Sequence, residues 1–355
     1  MSARVLVIGA GRMGRAIAWD LARQKGIAKV RLADKAPMAG VLRADAARPA
    51  SLLPLLSDCD AAVSAVPYFL NLGLAKAALK AGCSFSDLGG NDAVVRAELS
   101  LDREARKKGI TIVPDTGLAP GMVSLLAAHA ISEIGKARAV RIRVGGIPLH
   151  PKPPLGYALV FSPEGLINEY VEPCRALRKG RISVLPPLSE LEALRFPGPF
   201  GTLEAFTTSG GASTLPDTYR GKVKDLDYKT IRWPGHAEQV RLLMALGLTE
   251  KGPARDLLIR CLERSLPPPG RDAVLIRVTA EGSRGTLVLQ AVELGGPRFS
   301  AMMRCTALPA AIIAGMLARR EIRQAGALPQ ERCVPAGVFL QELSRRGIRV
   351  RSRWS

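Results

Sequence analysis

At 355 residues the chain is too long for one small domain, so two domains are expected. A hydrophobic fraction of 47% suits a globular protein with a real core, while 51 Lys+Arg against 31 Asp+Glu leave a net charge of +20. The basic residues are scattered, dense only from Arg345 to Arg353, and aromatics for base stacking are sparse, so a solvated Arg-rich surface is expected rather than a nucleic-acid site.

Arg4–Ile8 reads as an apolar strand that runs into Gly9-Ala10-Gly11-Arg12-Met13-Gly14, followed by a helix from Met13 to Lys25. In this pattern Gly9 permits the tight turn, Gly11 lets a pyrophosphate approach the backbone, and Gly14 lets helix pack on strand. Arg12 and Met13 open the helix, whose free N–H groups favour phosphate. A second run, Val30–Ala33, ends in Asp34, where an acid takes the ribose hydroxyls of the adenosine and repels a 2′-phosphate. NAD is therefore expected; Lys35 and Arg12, either able to neutralise that phosphate, leave NADP open.

A helix at Ser51–Leu56, a strand at Asp60–Val66, a helix at Asn71–Ala81 and a strand at Ser84–Asp87 follow. A helix over Val94–Lys108, stopped by Gly109, then leads to the strand Thr111–Val113. This alternation predicts an α/β fold with a doubly wound parallel sheet of the Rossmann kind. Ligands of such sheets lie beyond the carboxyl ends of the strands. That places Ala65, Val66 and Pro67, then Gly89 and Asn91, then Asp115, Gly117 and Leu118 against a dinucleotide.

A helix near Leu125–Glu133 leaves this domain. Val140–Val144 alternates apolar and basic, Pro and Gly crowd Gly145–Pro216 into expected irregular loops, and Val274–Val278 and Thr286–Gln290 flank a turn as a hairpin. A mainly antiparallel second domain is expected, then helices at Ala310–Arg320 and Ala336–Arg346 that return to the first. The expected division is 1–121 with 305–355 for the dinucleotide, and 122–304 for substrate and dimer contacts. An uncovered apolar sheet face leads us to expect a homodimer or higher homo-oligomer.

The six cysteines contain no C-x-x-C pair, against a zinc site or disulfide frame and for reduced thiols. The first strand starts at once, with no signal peptide expected, and no apolar run approaches a membrane span, so a cytoplasmic protein with no membrane partner is expected.

Four stretches carry a resemblance: Asp115–Met122, Gly145-Gly146-Ile147-Pro148, Leu203–Gly210, and Tyr228–His236. With the glycine turn and Thr306-Ala307-Leu308-Pro309, the chain resembles the saccharopine dehydrogenase-like family, most closely its lysine 6-dehydrogenase branch. The resemblance implies a nicotinamide-dependent oxidation of an amine-bearing carbon of an amino-acid substrate. For lysine the ε-carbon loses hydride, water releases ammonia, and the resulting 2-aminoadipate 6-semialdehyde cyclises to piperideine-6-carboxylate.

The ε-amine, with an ordinary pKa of about 10.4, must be neutral to react, which asks for a base or a desolvated pocket. His236 is the expected base, with capping of the helix from Ala237 as its alternative role. Asp115 pairs with the ammonium or simply turns the backbone, and Lys229 is the third catalytic candidate. Lys229, Arg232 and Arg220 are the cations for a substrate carboxylate. Glu204 is expected to receive the α-ammonium, Thr208 and Ser209 to supply hydroxyls, and Tyr157 to line the pocket. The run Ser209–Ser213 is small and polar where bulkier pocket-wall residues are expected, and the cationic field suits an anionic substrate such as saccharopine better than lysine. A saccharopine dehydrogenase or carboxynorspermidine-type reductase is accordingly the alternative enzyme, and a non-catalytic nucleotide-sensing or nucleic-acid-associated protein the alternative of another class.

Overall fold

The computed structural model describes residues 3–160, 162–266 and 270–355. The fold is α/β, and the chain divides into two units, Met1–His129 with Met303–Ile348, and Ala130–Met302 with Arg349–Ser355.

The first unit is built on a seven-stranded, all-parallel sheet. Its order is Gly326–Ala327, Thr111–Val113, Ser84–Asp87, Ala61–Ser64, Ala3–Ile8, Ile27–Asp34, Leu42–Arg43. The central strand Ala3–Ile8 is apolar almost throughout because both its faces are covered. Leu6, Ile8, Ala62, Phe85 and Ile112 of the sheet pack with Leu52, Leu56, Leu74 and Ala78 of the helices in one buried cluster.

Two helices depart from expectation. The helix expected over Val94–Lys108 is two, Asp92–Leu99 and Asp102–Lys108. At the break Ser100 donates its hydroxyl to the Ala97 carbonyl at 2.6 Å, a local bond that competes with helix continuation. The helix expected from Ala310 begins at Ala301 and runs to Ala318 through Pro309. The Asp272 carboxylate caps its start, accepting from Ala301 N at 2.7 Å and Met302 N at 2.9 Å. That cap is remote in sequence, so the nine residues before Ala310 carry no local start signal. At 18 residues this helix is long and apolar enough to cross a membrane, which corrects the expectation that no run approaches that length. Most of it is buried inside the protein, as befits a core helix.

The second unit has a nine-stranded sheet. Its path is Glu192–Phe196, Gly201–Thr207, Asp225–Arg232, Ala137–Pro148, Asp272–Gly282, Gly285–Leu294, Arg351–Trp354, and the hairpin Cys174–Arg178/Arg181–Leu185 joins at Leu226. Only the pairing of Asp225–Arg232 with Ala137–Pro148 is parallel. The stretch expected as irregular loops thus contains two hairpins, with Lys179 and Gly180, both at positive φ, making the turn of the first. The basic tail, expected with the first domain, is an edge strand of this second sheet.

Helices Pro163–Val171, His236–Ala245 and Pro253–Ser265 supply Leu166, Ile167, Val240, Leu258 and Leu262 to a core with Tyr157, Tyr170 and Phe206. On the other face Phe196 and Phe200 cover Ile147, Leu203, Ile231 and Leu275, and beyond them Arg143 pairs with Glu192 and Asp227. Phe196 and Phe200 thus cover part of the face expected to be open, with Leu194, Trp233 and Val292 only partly buried against the same cluster.

Candidate functional site

In the first unit the glycines divide the work by geometry. Gly9 has φ +102°, and a Cβ there would lie 2.7 Å from the Ala65 carbonyl oxygen and 2.9 Å from Val66 Cγ1. A Cβ on Gly14 would lie 1.7 Å from the Gly9 oxygen, so helix and turn meet backbone to backbone. Gly11 caps the helix Arg12–Leu21 with no side-chain bond, and a Cβ there would meet nothing within 4 Å. Two glycines are needed for packing, and the third leaves open space over free helix N–H groups. This cradle fits a pyrophosphate.

Asp34 ends its strand as expected. Its Oδ2 accepts from Ala10 N at 2.6 Å and its Oδ1 from Ala36 N at 2.9 Å. Partial burial pushes this carboxyl up, but the N–H groups of Ala36, Ala10 and Lys35 and the Lys35 ammonium bring it below the usual range. The group thus stays ionised and shapes the glycine turn.

Other positions have structural duties. Pro67 precedes the short turn Tyr68–Leu70. The Asn91 side-chain oxygen caps Asp92–Leu99, accepting from Ala93 N at 3.0 Å and Val94 N at 3.2 Å, so that oxygen is engaged away from the expected cofactor role. The carbonyls of Gly117 and Leu118 accept from Met122 N and Val123 N, starting the next helix. Gly89, at φ +76°, lies against the Asp115 carboxyl, and Asp115 itself takes φ +63°. Asp115 is 2% exposed, and its carbonyl accepts from Gln330 Nε2.

The second unit gathers Tyr157, Glu169, Tyr170, Arg232 and His236. Arg232 is 3% exposed; its Nε donates to Tyr170 Oη at 3.2 Å, and its guanidinium lies 4.8 Å from the centre of the Tyr157 ring. The facing carboxylate is Glu169, at a loose 3.7 Å from Nη2. Burial pushes Glu169 up to about 7 although Arg232 pulls the other way. The Tyr157 hydroxyl is buried and has no hydrogen-bond partner among the described residues. Thr208 and Thr230 share a 2.6 Å hydroxyl bond on the same sheet face.

His236 belongs to this cluster but not in the role expected of it. Its Nδ1 is 2.9 Å from the Leu155 carbonyl, which fixes that nitrogen as the donor, and its Nε2 accepts from Tyr170 Oη at 2.9 Å. Burial, reinforced by the Arg232 cation, lowers it to about 3. Such a neutral imidazole, with both nitrogens engaged, holds Tyr170 in place and is a poor acceptor for an ammonium proton. Its alternative role as a helix cap also falls to another residue. Glu204 caps the helix, its carboxylate accepting from Gly235 N at 2.9 Å and Ala237 N at 2.7 Å. Those two bonds replace the α-ammonium expected on Glu204.

Lys229 is likewise corrected. Its Nζ donates to the Glu190 carbonyl and to Glu192, on the opposite sheet face from Tyr228, Thr230 and Arg232. Ser209 donates to the Asn168 carbonyl at 3.3 Å and to Glu172 at 3.4 Å. Arg220 is exposed at the end of the helix Leu215–Tyr219 and makes none of the cluster's contacts. Glu169 and Tyr170 were missed because their helix was missed. Ser162, whose hydroxyl accepts from Gly165 N at 3.0 Å, and Pro163 behind it were the available start signals.

Among known proteins, residues 5–113 match the family model for the saccharopine dehydrogenase NADP binding domain and residues 117–348 that for the saccharopine dehydrogenase C-terminal domain. Saccharopine dehydrogenase [NADP(+), L-glutamate-forming] of Saccharomyces cerevisiae is 24% identical over 70% of this chain and 59% of its own length. The mitochondrial alpha-aminoadipic semialdehyde synthase of Mus musculus is 25% identical over 57% of this chain and 22% of its own length. The chain therefore spans less than two thirds of the length of these relatives. The apo saccharopine dehydrogenase (L-Glu forming) structure from Saccharomyces cerevisiae aligns over 99% of this chain and 100% of that one, with TM-score 0.82 at 18% identity, a likeness of fold.

Proposed function

The chain belongs to the saccharopine dehydrogenase family, and from that premise we propose that it oxidises the amine-bearing carbon of a basic α-amino acid, L-lysine at its ε-carbon, with a nicotinamide dinucleotide. One observation carries the substrate class: the buried guanidinium of Arg232 faces a loosely paired carboxyl, Glu169. A cation and an acid at that spacing complement the carboxylate and ammonium of one α-amino acid. Arg offers two parallel N–H donors to the carboxylate, and the ionised Glu169 receives the ammonium. Tyr170, steadied by His236, keeps the guanidinium oriented, and the Tyr157 hydroxyl is a further donor for the same carboxylate.

Saccharopine has more carboxylates to neutralise. Of the other buried cations of the unit, Arg143 and Lys229 are already paired with Glu192, and Arg255 donates to the side-chain oxygen of Asn168. A bound nicotinamide supplies the hydride acceptor; water then displaces ammonia and the aldehyde closes on the α-amine. Gly9, Gly11, Gly14 and Asp34 hold the dinucleotide. The second reading, a saccharopine-type reaction, draws on the names of the relatives and on the cationic surface.

Dinucleotide reduction with lysine, saccharopine and 1,5-diaminopentane separates these readings. Lysine is expected to be oxidised, and the diamine, lacking the carboxylate, to be poor. Faster turnover of saccharopine than of lysine would overturn the proposal.

A further inference from the structure

Three carboxyl groups meet where strands of the first sheet end. Asp87 closes the strand Ser84–Asp87, Asp115 follows Thr111–Val113, and Glu98 reaches in from the helix Asp92–Leu99. Asp87 and Glu98 are fully buried. Asp87 Oδ1 accepts from Gly89 N at 2.6 Å and from Asp115 N at 3.3 Å. Its carbonyl accepts from both the N–H and the hydroxyl of Thr116, each at 2.7 Å. One strand-end residue therefore ties two loops at the carboxyl edge of the sheet. There is no slack between them, because a Cβ on Gly89 would lie 1.9 Å from Asp115 Oδ1.

The other oxygen of Asp87, Oδ2, and both oxygens of Glu98 are buried and receive no N–H or hydroxyl donor among the described residues. The charged groups acting on Glu98 are Asp87 and Asp115, both acids, and its hydrogen-bond partner is Asp87. A carboxylate with neither water nor donors, beside other acids, is not sustainable. One proton removes both deficits. On Glu98 it neutralises the isolated group, and it gives Asp87 Oδ2 the donor that side lacks.

We propose that Glu98 is a positioning residue of the dinucleotide site, a neutral carboxylic acid whose proton is donated to Asp87 and so fixes the loops of Gly89 and Asp115. Burial, then the charges of Asp87 and Asp115, push the Glu98 carboxyl far above its ordinary range, so the proton is kept at the alkaline pH that an amine oxidation favours. The inference rests on dinucleotide binding by the first unit and is independent of which amine is oxidised.

Infrared difference spectra of the unaltered chain and Glu98→Gln at mildly alkaline pH test it directly. The carbonyl stretch of a protonated carboxylic acid is expected in the unaltered protein and missing from Glu98→Gln; its absence from the unaltered protein overturns the proposal. Dinucleotide titration gives a second readout. Glu98→Gln still donates an N–H to Asp87 and is expected to keep Kd within about threefold, whereas Glu98→Leu removes the donor and raises it about tenfold or more, the weight of one buried hydrogen bond to a charge. Equal losses in the two variants, or none in Glu98→Leu, overturn it. Should Glu98→Leu fail to fold, the infrared band and the Glu98→Gln affinity decide.

Discussion

Residue type alone points to His236 as the base, because histidine titrates nearest neutrality. Its surroundings reverse that, as burial and the Arg232 cation lower it to about 3. An unfolded histidine titrates near 6.5, so between about pH 6.5 and 3 the unfolded chain binds the extra proton and stability falls as pH falls. Stability, followed through the melting temperature, should therefore drop over this window more in the unaltered protein than in His236→Asn, by at most about 1.4 kcal/mol per pH unit. Matching slopes would show His236 ionising normally. Glu169 carries the opposite shift, up to about 7, and must lose its proton to receive an ammonium. KM for lysine should accordingly fall as pH rises through about 7, while Glu169→Gln raises KM about tenfold and flattens that dependence. An unchanged profile would remove Glu169 from the substrate. Asp34 was legible from its spacing behind the glycines. Asp34→Ala should weaken NAD and admit NADP; equal use of both cofactors before and after the change would deny Asp34 that choice.

At the scale of elements, the first sheet was largely legible because glycine turns and apolar strands are local signals. Asn71–Ala81, Ser84–Asp87 and Thr111–Val113 lie where the pattern placed them. The second unit was harder, since its strands pair across long separations and one face carries charge. Alternation still held information. In Asp225–Arg232, Tyr228, Thr230 and Arg232 share one face, and Lys229 must point to the other. Parity alone separates Arg232 from Lys229. The Glu204 cap was illegible for the opposite reason, its partners lying on a different element. Glu204→Ala should cost about 1 kcal/mol through the lost cap, read as a lower denaturation midpoint. No change in midpoint would show the cap to be dispensable.

At the scale of the whole molecule, acids are paired with bases, as Glu190 and Asp227 are with Arg178, and since each pair takes one charge of either sign the excess of +20 remains. The tail forms the edge strand Arg351–Trp354 on Gly285–Leu294. Deleting residues 349–355 should leave dinucleotide affinity unchanged and lower solubility by baring that edge. Loss of affinity would contradict the assignment of the tail to the second unit. The interleaved chain has a further consequence. Each unit is assembled from two separate stretches, the second stretch of the first unit being inserted before the last strand of the other. Neither can be cut out as one uninterrupted fragment, and each must close a long loop before its final pieces arrive. Refolding should be slow and its early species incomplete in both halves at once; the four stretches alternate even around a closed circle, so neither truncation nor circular permutation isolates a unit.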